Sequence, residues 1–166
     1  MKTDKFNKNL TPWSDNLILQ RVIEVDPRGR IRIPTQFTHN IEWIKSPRLP
    51  SDALAVLDEP GRILFLSWEK HAQPIIEKRR ELLEIYRDSQ DARDTLIQLE
   101  DRYKHFIIPA DLRPTLVLET KLHLEITLET KSYVYARKVF DRIEIISPKF
   151  RNQQRNRHLD LIDELP

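Results

Sequence analysis

Val25-Asp26-Pro27-Arg28-Gly29-Arg30-Ile31-Arg32-Ile33-Pro34 decides how this chain of 166 residues is read. Gly29 is one of only two glycines in the sequence, so it marks a place where the backbone needs a positive φ. Pro27 presets the first corner of a turn, and the Asp26 carboxylate can accept hydrogen bonds from the turn's own amides. A type I turn that ends in a left-handed glycine makes a hairpin with a bulge. Beyond the turn the residues alternate, with Ile31 and Ile33 on one face and Arg30 and Arg32 on the other. The expectation is a hairpin with an apolar underside and with Arg28, Arg30 and Arg32 on its tip and outer face. Asp26 and Gly29 shape the turn. Guanidinium groups so close together repel unless an anion is near. The tip therefore reads either as a solvated face or as an anion-binding surface.

A second stretch has a similar form: Asp101-Arg102-Tyr103-Lys104-His105-Phe106-Ile107-Ile108-Pro109-Ala110-Asp111-Leu112-Arg113. Set under the first, it places Asp101 beneath Asp26, Lys104 beneath Gly29, His105 beneath Arg30 and Ile108-Pro109 beneath Ile33-Pro34. Each copy is followed by a later strand of similar form, Arg62-Ile63-Leu64-Phe65-Leu66-Ser67 and Arg142-Ile143-Glu144-Ile145-Ile146-Ser147. The pattern implies a tandem duplication of one small β-rich unit. In this second turn Asp101 has the shaping role of Asp26, while Arg102 and Lys104 keep the tip basic. His105 replaces a permanent charge with a group that titrates near neutrality; it reads as a DNA contact or as a hydrogen-bonded surface histidine.

The duplicated Asp-x-x-x-Arg and Ile-Pro pattern resembles MraZ, a bacterial regulator family within the wider AbrB-like, swapped-hairpin class. The resemblance covers roughly Leu17 to Phe150. Asp26, Gly29 and Arg30 match the family pattern in full. The second copy departs from it at Lys104 and His105, and Arg113 supplies a later arginine that the first copy replaces with Thr38. The resemblance implies an α+β fold of two AbrB-like half-barrels joined by a helical segment. It also implies a homo-oligomer, a ring, that binds double-stranded promoter DNA in transcriptional control in the cytoplasm, associated with the nucleoid. Arg28, Arg30 and Arg32 would make most contacts, with Arg102, Lys104 and His105 from the second tip. The alternative is a structural or protein-interaction protein that keeps the fold and has lost sequence-specific DNA binding.

The rest of the chain fits this frame. Residues 1–16 read as a polar tail, 17–68 as the first unit, 69–98 as a helical connector, 99–150 as the second unit and 151–166 as a C-terminal tail. In the connector, Asp88-Ser89-Gln90-Asp91 looks like a helix stop followed by a new N-cap. Glu59-Pro60-Gly61-Arg62 places Pro and Gly at the centre of a type II turn. Residues 122–129 alternate strictly and predict an added half-buried strand. The run Lys149 to Arg157 carries four cations and no acid; it reads as a basic arm or as a terminal helix.

Charged residues make up 33% of the sequence, the formal net charge is +2 and mean hydropathy is -0.57. Such a small excess does not by itself imply nucleic acid; its distribution matters more. There is no cysteine, hence no disulfide, thiolate nucleophile or Cys-based zinc site. No apolar run approaches membrane-spanning length, so no membrane partner is expected. The five histidines never stand at the i, i+4 spacing of a helical metal pair, and there is no glycine-rich phosphate loop. The expectation is no enzyme, no metal and no cofactor.

Overall fold

The computed structural model describes residues 18–125 and 132–163. The fold is α+β. Its strands are β1 (Ile18–Val25), β2 (Ser51–Val56), β3 (Arg62–Ser67), β4 (Tyr103–Ile108), β5 (Ser132–Val139) and β6 (Arg142–Ile146). A 3-10 helix spans Thr35–Asn40. The α-helices are α1 (Trp68–His71), α2 (Gln73–Ile85), α3 (Gln90–Arg102), α4 (Leu118–His123) and α5 (Pro148–Asp163). The strands form one antiparallel sheet in the order β1-β5-β6-β3-β2-β4.

The central strands come from apolar runs bounded by turn residues. Between β2 and β3 the Arg62 amide donates to Glu59 O at 3.1 Å, and Gly61 takes φ 88°. Tight turning at that position needs a left-handed residue, which glycine adopts without strain. The inner face of the sheet buries Phe65, Ile63, Ile143 and Ile145 together with Ile31, Ile33 and Phe37. On the opposite face the β2–β3 side is covered by the helical segment. There Leu54, Val56 and Leu64 lie under Trp68 and Ile75 of the helical segment. Ser67 caps α1 and Ser89 caps α3, each accepting from the amide three residues on. An Arg79–Glu100 pair at 3.0 Å ties α2 to α3.

Strands at mirror positions in the sheet, β1 and β4, β5 and β2, β6 and β3, are each three strands apart along the chain, so the first three strands and the last three occupy the sheet in the same relative order from opposite ends. Local geometry follows the same exchange. Gly29 N donates to Asp26 O at 2.9 Å, and Leu112 N donates to Pro109 O at 3.0 Å. The fourth residue of each turn is left-handed, Gly29 at φ 79° and Leu112 at φ 61°. The arms that leave these turns pair with each other. Ile33 N donates to Leu112 O at 2.8 Å and Leu116 N donates to Gly29 O at 2.7 Å. Each arm then enters a helix of six residues, Thr35–Asn40 or Leu118–His123. A buried residue follows each helix, Ile41 or Leu124.

Several expectations need correction. The turn at 26–30 closes locally, with Asp26 N donating to Arg30 O at 3.0 Å, but its arms then part. β1 pairs with β5, and the returning arm crosses to 112–116. The expected hairpin turn at Asp101 does not form. Asp101 and Arg102 are the last residues of α3, whose helical hydrogen bonding ends with Tyr103 N donating to Leu99 O. Asp101 therefore shapes no turn. Lys104 is not left-handed but sits inside β4, opposite Ala55. The 13-residue helix that Ser89 starts leaves no room for a strand before Asp101. The added strand expected at 122–129 begins as α4 instead, and residues 126–131 lie outside the described residues. Alternation over so short a window is matched by a one-turn helix with Leu122 outside and Leu124 inside. The C-terminal segment is helical over Pro148–Asp163, a form that a basic arm on nucleic acid and a helix docked by its leucines and isoleucine share. The N-terminal tail lies outside the described residues.

Candidate nucleic-acid interface

The turn at 26–30 is organised by one carboxylate. Asp26 Oδ1 accepts from the amides of Arg28 and Arg30, each at 2.9 Å, and Oδ2 accepts from Arg30 Nε at 2.8 Å. The Arg30 amide first, with its guanidinium helping, holds the Asp26 carboxyl below the usual carboxylate range. This contact orients the Arg30 fork while occupying only Nε, so both Nη groups keep their donors. Ile31 and Ile33 are buried at 2% and 0%, which anchors the arm and turns Arg30 and Arg32 outward.

The crossing of the two arms adds a residue that spacing along the first turn does not reveal. Arg30 bridges to Thr115, and a cleft of about 260 Å³ is lined by Arg30, Arg32 and Arg113 with Glu24 and Asp26. Arg113 is exposed, and its own amide donates to Asp111 Oδ1 at 3.1 Å, much as the Arg28 amide donates to Asp26. Lys121 of α4 also reaches this place, its chain end lying against Gly29. The sequence carries a faint signal for Arg113, since it stands four residues after its turn begins, directly behind the left-handed residue, as Arg30 does. Lys121 carries none: it precedes the strand expected at 122–129, and its approach to Gly29 depends on the placement of α4.

The other expected contacts lie elsewhere and are engaged. Arg102 ends α3 with its guanidinium 5.4 Å from the centre of the Tyr103 ring. Lys104 Nζ pairs with Glu119 Oε2 at 2.6 Å, which lowers the Glu119 carboxyl. His105 Nε2 meets Asp52 Oδ1 at 2.9 Å, and its ring stacks on Trp68 at 4.1 Å. These residues belong to α3 and β4 and line no part of the Arg30 cleft. Among the described residues no group of three or more His, Cys, Asp or Glu side chains could hold a metal ion, and no helix is long and apolar enough to cross a membrane. No family model matches the chain, and no curated protein is similar to it.

Proposed function

We propose that the chain is a DNA-binding transcriptional regulator of the MraZ and AbrB-like kind, acting in the cytoplasm as a homo-oligomeric ring. In this reading it consists of two copies of one β-rich unit facing each other across the β3–β6 pair as two half-barrels. The palindromic strand order and the matched turn and arm hydrogen bonds support that duplication. They also support a register in which Arg113, rather than His105, is the counterpart of Arg30. The DNA-binding reading is carried by one observation: Arg30, Arg32 and Arg113 converge on a single cleft, with Arg28 exposed at the tip beside it. Arginine forks suit phosphate oxygens and the guanine edge. One cleft gives modest affinity, and a ring presenting several gains by multivalency.

The test is fluorescence anisotropy with the DNA upstream of the protein's own gene, in a salt series with random DNA as competitor. Arg30→Ala and Arg113→Ala are each expected to weaken specific binding by about tenfold or more while the chain stays folded. Lys104→Ala is expected to leave it unchanged. Unaltered affinity in both arginine variants would remove the cleft from the reading. A second reading, an interaction protein without sequence-specific DNA binding, is favoured by the carboxylates that occupy Lys104 and His105. It predicts association that persists as salt rises, whereas phosphate contacts weaken steeply.

A further inference from the structure

We propose that the cavity between the β5–β6 half of the sheet and helix α5 binds a small molecule carrying two or more phosphate groups. The cavity has a volume of about 630 Å³, the size range of nucleotide-sized ligand sites. Arg62, Arg137, Arg142, Arg151 and Arg155 line it, and Glu144 is the one acid in its lining. This site is separate from the Arg30 cleft and does not depend on the DNA-binding reading.

The arginines are held in place before any ligand arrives. Arg137 donates to Gln20 Oε1 at 3.2 Å and to Gln154 Oε1 at 3.2 Å. The buried Glu144 carboxylate lies 3.3 Å from Arg142 and 3.6 Å from Arg137. Arg151 sits 4.5 Å over the Tyr135 ring. Arg62 Nη2 also meets Asp58 Oδ2 at 3.2 Å and Glu59 Oε1 at 3.1 Å, and three carboxylates still leave five guanidinium groups with donors to spare. Arg62 Nε and Arg142 Nε are buried and have no hydrogen-bond partner among the described residues. A buried donor without an acceptor is costly, and each such donor calls for an oxygen. Phosphate supplies several acceptor oxygens with the charge and planar spacing that guanidinium forks match. Ile18 and Val139 add an apolar wall on which a non-phosphate part could rest.

The packing of the rest of the sheet shows that the fold does not require charge here. Across the central strand pair Leu64 stands opposite Glu144. Leu64 in turn pairs with Val56, while Glu144 pairs with Arg137. Val56 and Leu64 are sealed under Trp68 and Ile75. The matching positions on the other side, Arg137 and Glu144, are charged and open onto the cavity. A cover such as α5 could have sealed an apolar surface there at less cost than burying a carboxylate and orphaned donors. Arg151, Gln154 and Arg155 stand at i, i+3 and i+4 on α5, so one helix face supplies three of the eight polar lining residues.

The experiment is isothermal titration of the full chain with pyrophosphate and with ADP, using inorganic phosphate as the single-charge-centre comparison. Saturable one-to-one binding is expected for pyrophosphate and ADP, with inorganic phosphate at least tenfold weaker. Arg142→Ala is expected to abolish binding. Arg155 is exposed on α5, so Arg155→Ala keeps the fold and is expected to weaken binding about tenfold. Glu144→Gln removes the competing carboxylate and is expected to tighten it. Absence of saturable binding at millimolar ligand, or equal affinity in wild type and Arg155→Ala, would overturn the proposal. So would displacement of pyrophosphate by short duplex DNA with both affinities lowered in Arg155→Ala, which would make the cavity part of a nucleic-acid surface.

Discussion

Replacing Lys104 with glycine separates the two registers in which the halves of this chain can be compared. If Lys104 stood at the left-handed corner of a hairpin, as alignment of Asp101 with Asp26 implies, it would carry the strain of a non-glycine residue there, about 1–2 kcal/mol. Glycine would relieve that strain, and Lys104→Gly would be more stable than Lys104→Ala. The structure instead has Lys104 inside β4, paired with Ala55 and flanked by the Leu54–His105 and Val56–Tyr103 pairs. Glycine in a strand interior is less stable than alanine by about 0.5–1 kcal/mol. Comparing the two variants with each other cancels the loss of the exposed Lys104–Glu119 pair, since both remove it. Urea unfolding followed by tryptophan fluorescence is suited to the measurement, because Trp68 stacks on the neighbouring His105. The expected result is a lower midpoint for Lys104→Gly than for Lys104→Ala at unchanged m-value. A midpoint for the glycine variant equal to or above that of the alanine variant would refute the strand placement and restore the Asp101 turn.

Other outcomes follow from the same geometry. Gly29→Ala is expected to lose about 1–2 kcal/mol in urea unfolding, because its φ is 79° and an added Cβ would stand 3.1 Å from Leu116 O. Phe65, with no exposed surface and its ring 4.8 Å from that of Phe106, anchors the central strand, so Phe65→Ala is expected to lose about 3–5 kcal/mol by the same assay. The Asp26 carboxyl lies below its ordinary value of 3.8 in the folded chain. Its contribution to stability is therefore present above that value and is lost as pH falls through the folded value. Unfolding curves of wild type and Asp26→Asn are expected to converge across that acidic window and to differ above it.

Much of the architecture was legible because it rests on local chemistry. Pro60-Gly61 specifies the β2–β3 turn, and Ser89 caps the start of α3 after α2 has ended at Ile85. The alternation of Ile31 and Ile33 with Arg30 and Arg32 gave the inner and outer faces of the arm. What failed was a letter match between two Ile-Pro pairs in different environments. Ile33 lies in a crossing arm, whereas Ile108 ends β4 and Pro109 opens a turn. The residue that ends the equivalent strand in the first half is Val25, followed by Asp26. Pro109 and Asp26 have little in common as letters, yet each carbonyl accepts the amide of a left-handed residue three positions on. The turn at 109–112 escaped notice because a buried leucine, not a glycine, takes its positive φ, and burial of that side chain offsets strain that glycine would avoid. The convergence of Arg113 on Arg30 was invisible for the same reason, since it depends on which arm crosses which.

The charge of the chain gains meaning only from how it is paired. Twenty-eight basic and 26 acidic side chains nearly cancel, so the molecule as a whole has little long-range attraction for an anion. Any anion must instead be held where local acids are too few. On β4 they are sufficient: Lys104 and His105 each have a carboxylate within hydrogen-bonding distance. At the crossing arms three arginines share a cleft with two acids, and one of those acids, Asp26, is committed to shaping the turn. Beneath α5 five arginines meet three carboxylates, Glu144 in the lining and Asp58 and Glu59, which hold Arg62. The cation excess thus rises from β4 to the cleft to the cavity, and two of the cavity's guanidinium groups, those of Arg62 and Arg142, keep a buried Nε without an acceptor among the described residues. An exposed, mildly basic cleft suits a large polyanion that is held by many weak contacts. A strongly basic cavity with buried donors suits a small one held by a few strong contacts. Raising salt should therefore strip DNA from the cleft well before it displaces pyrophosphate from the cavity, since an oxygen held on the buried Arg62 and Arg142 donors is screened less. Loss of both at the same salt concentration would mean that pyrophosphate is not held by those buried donors.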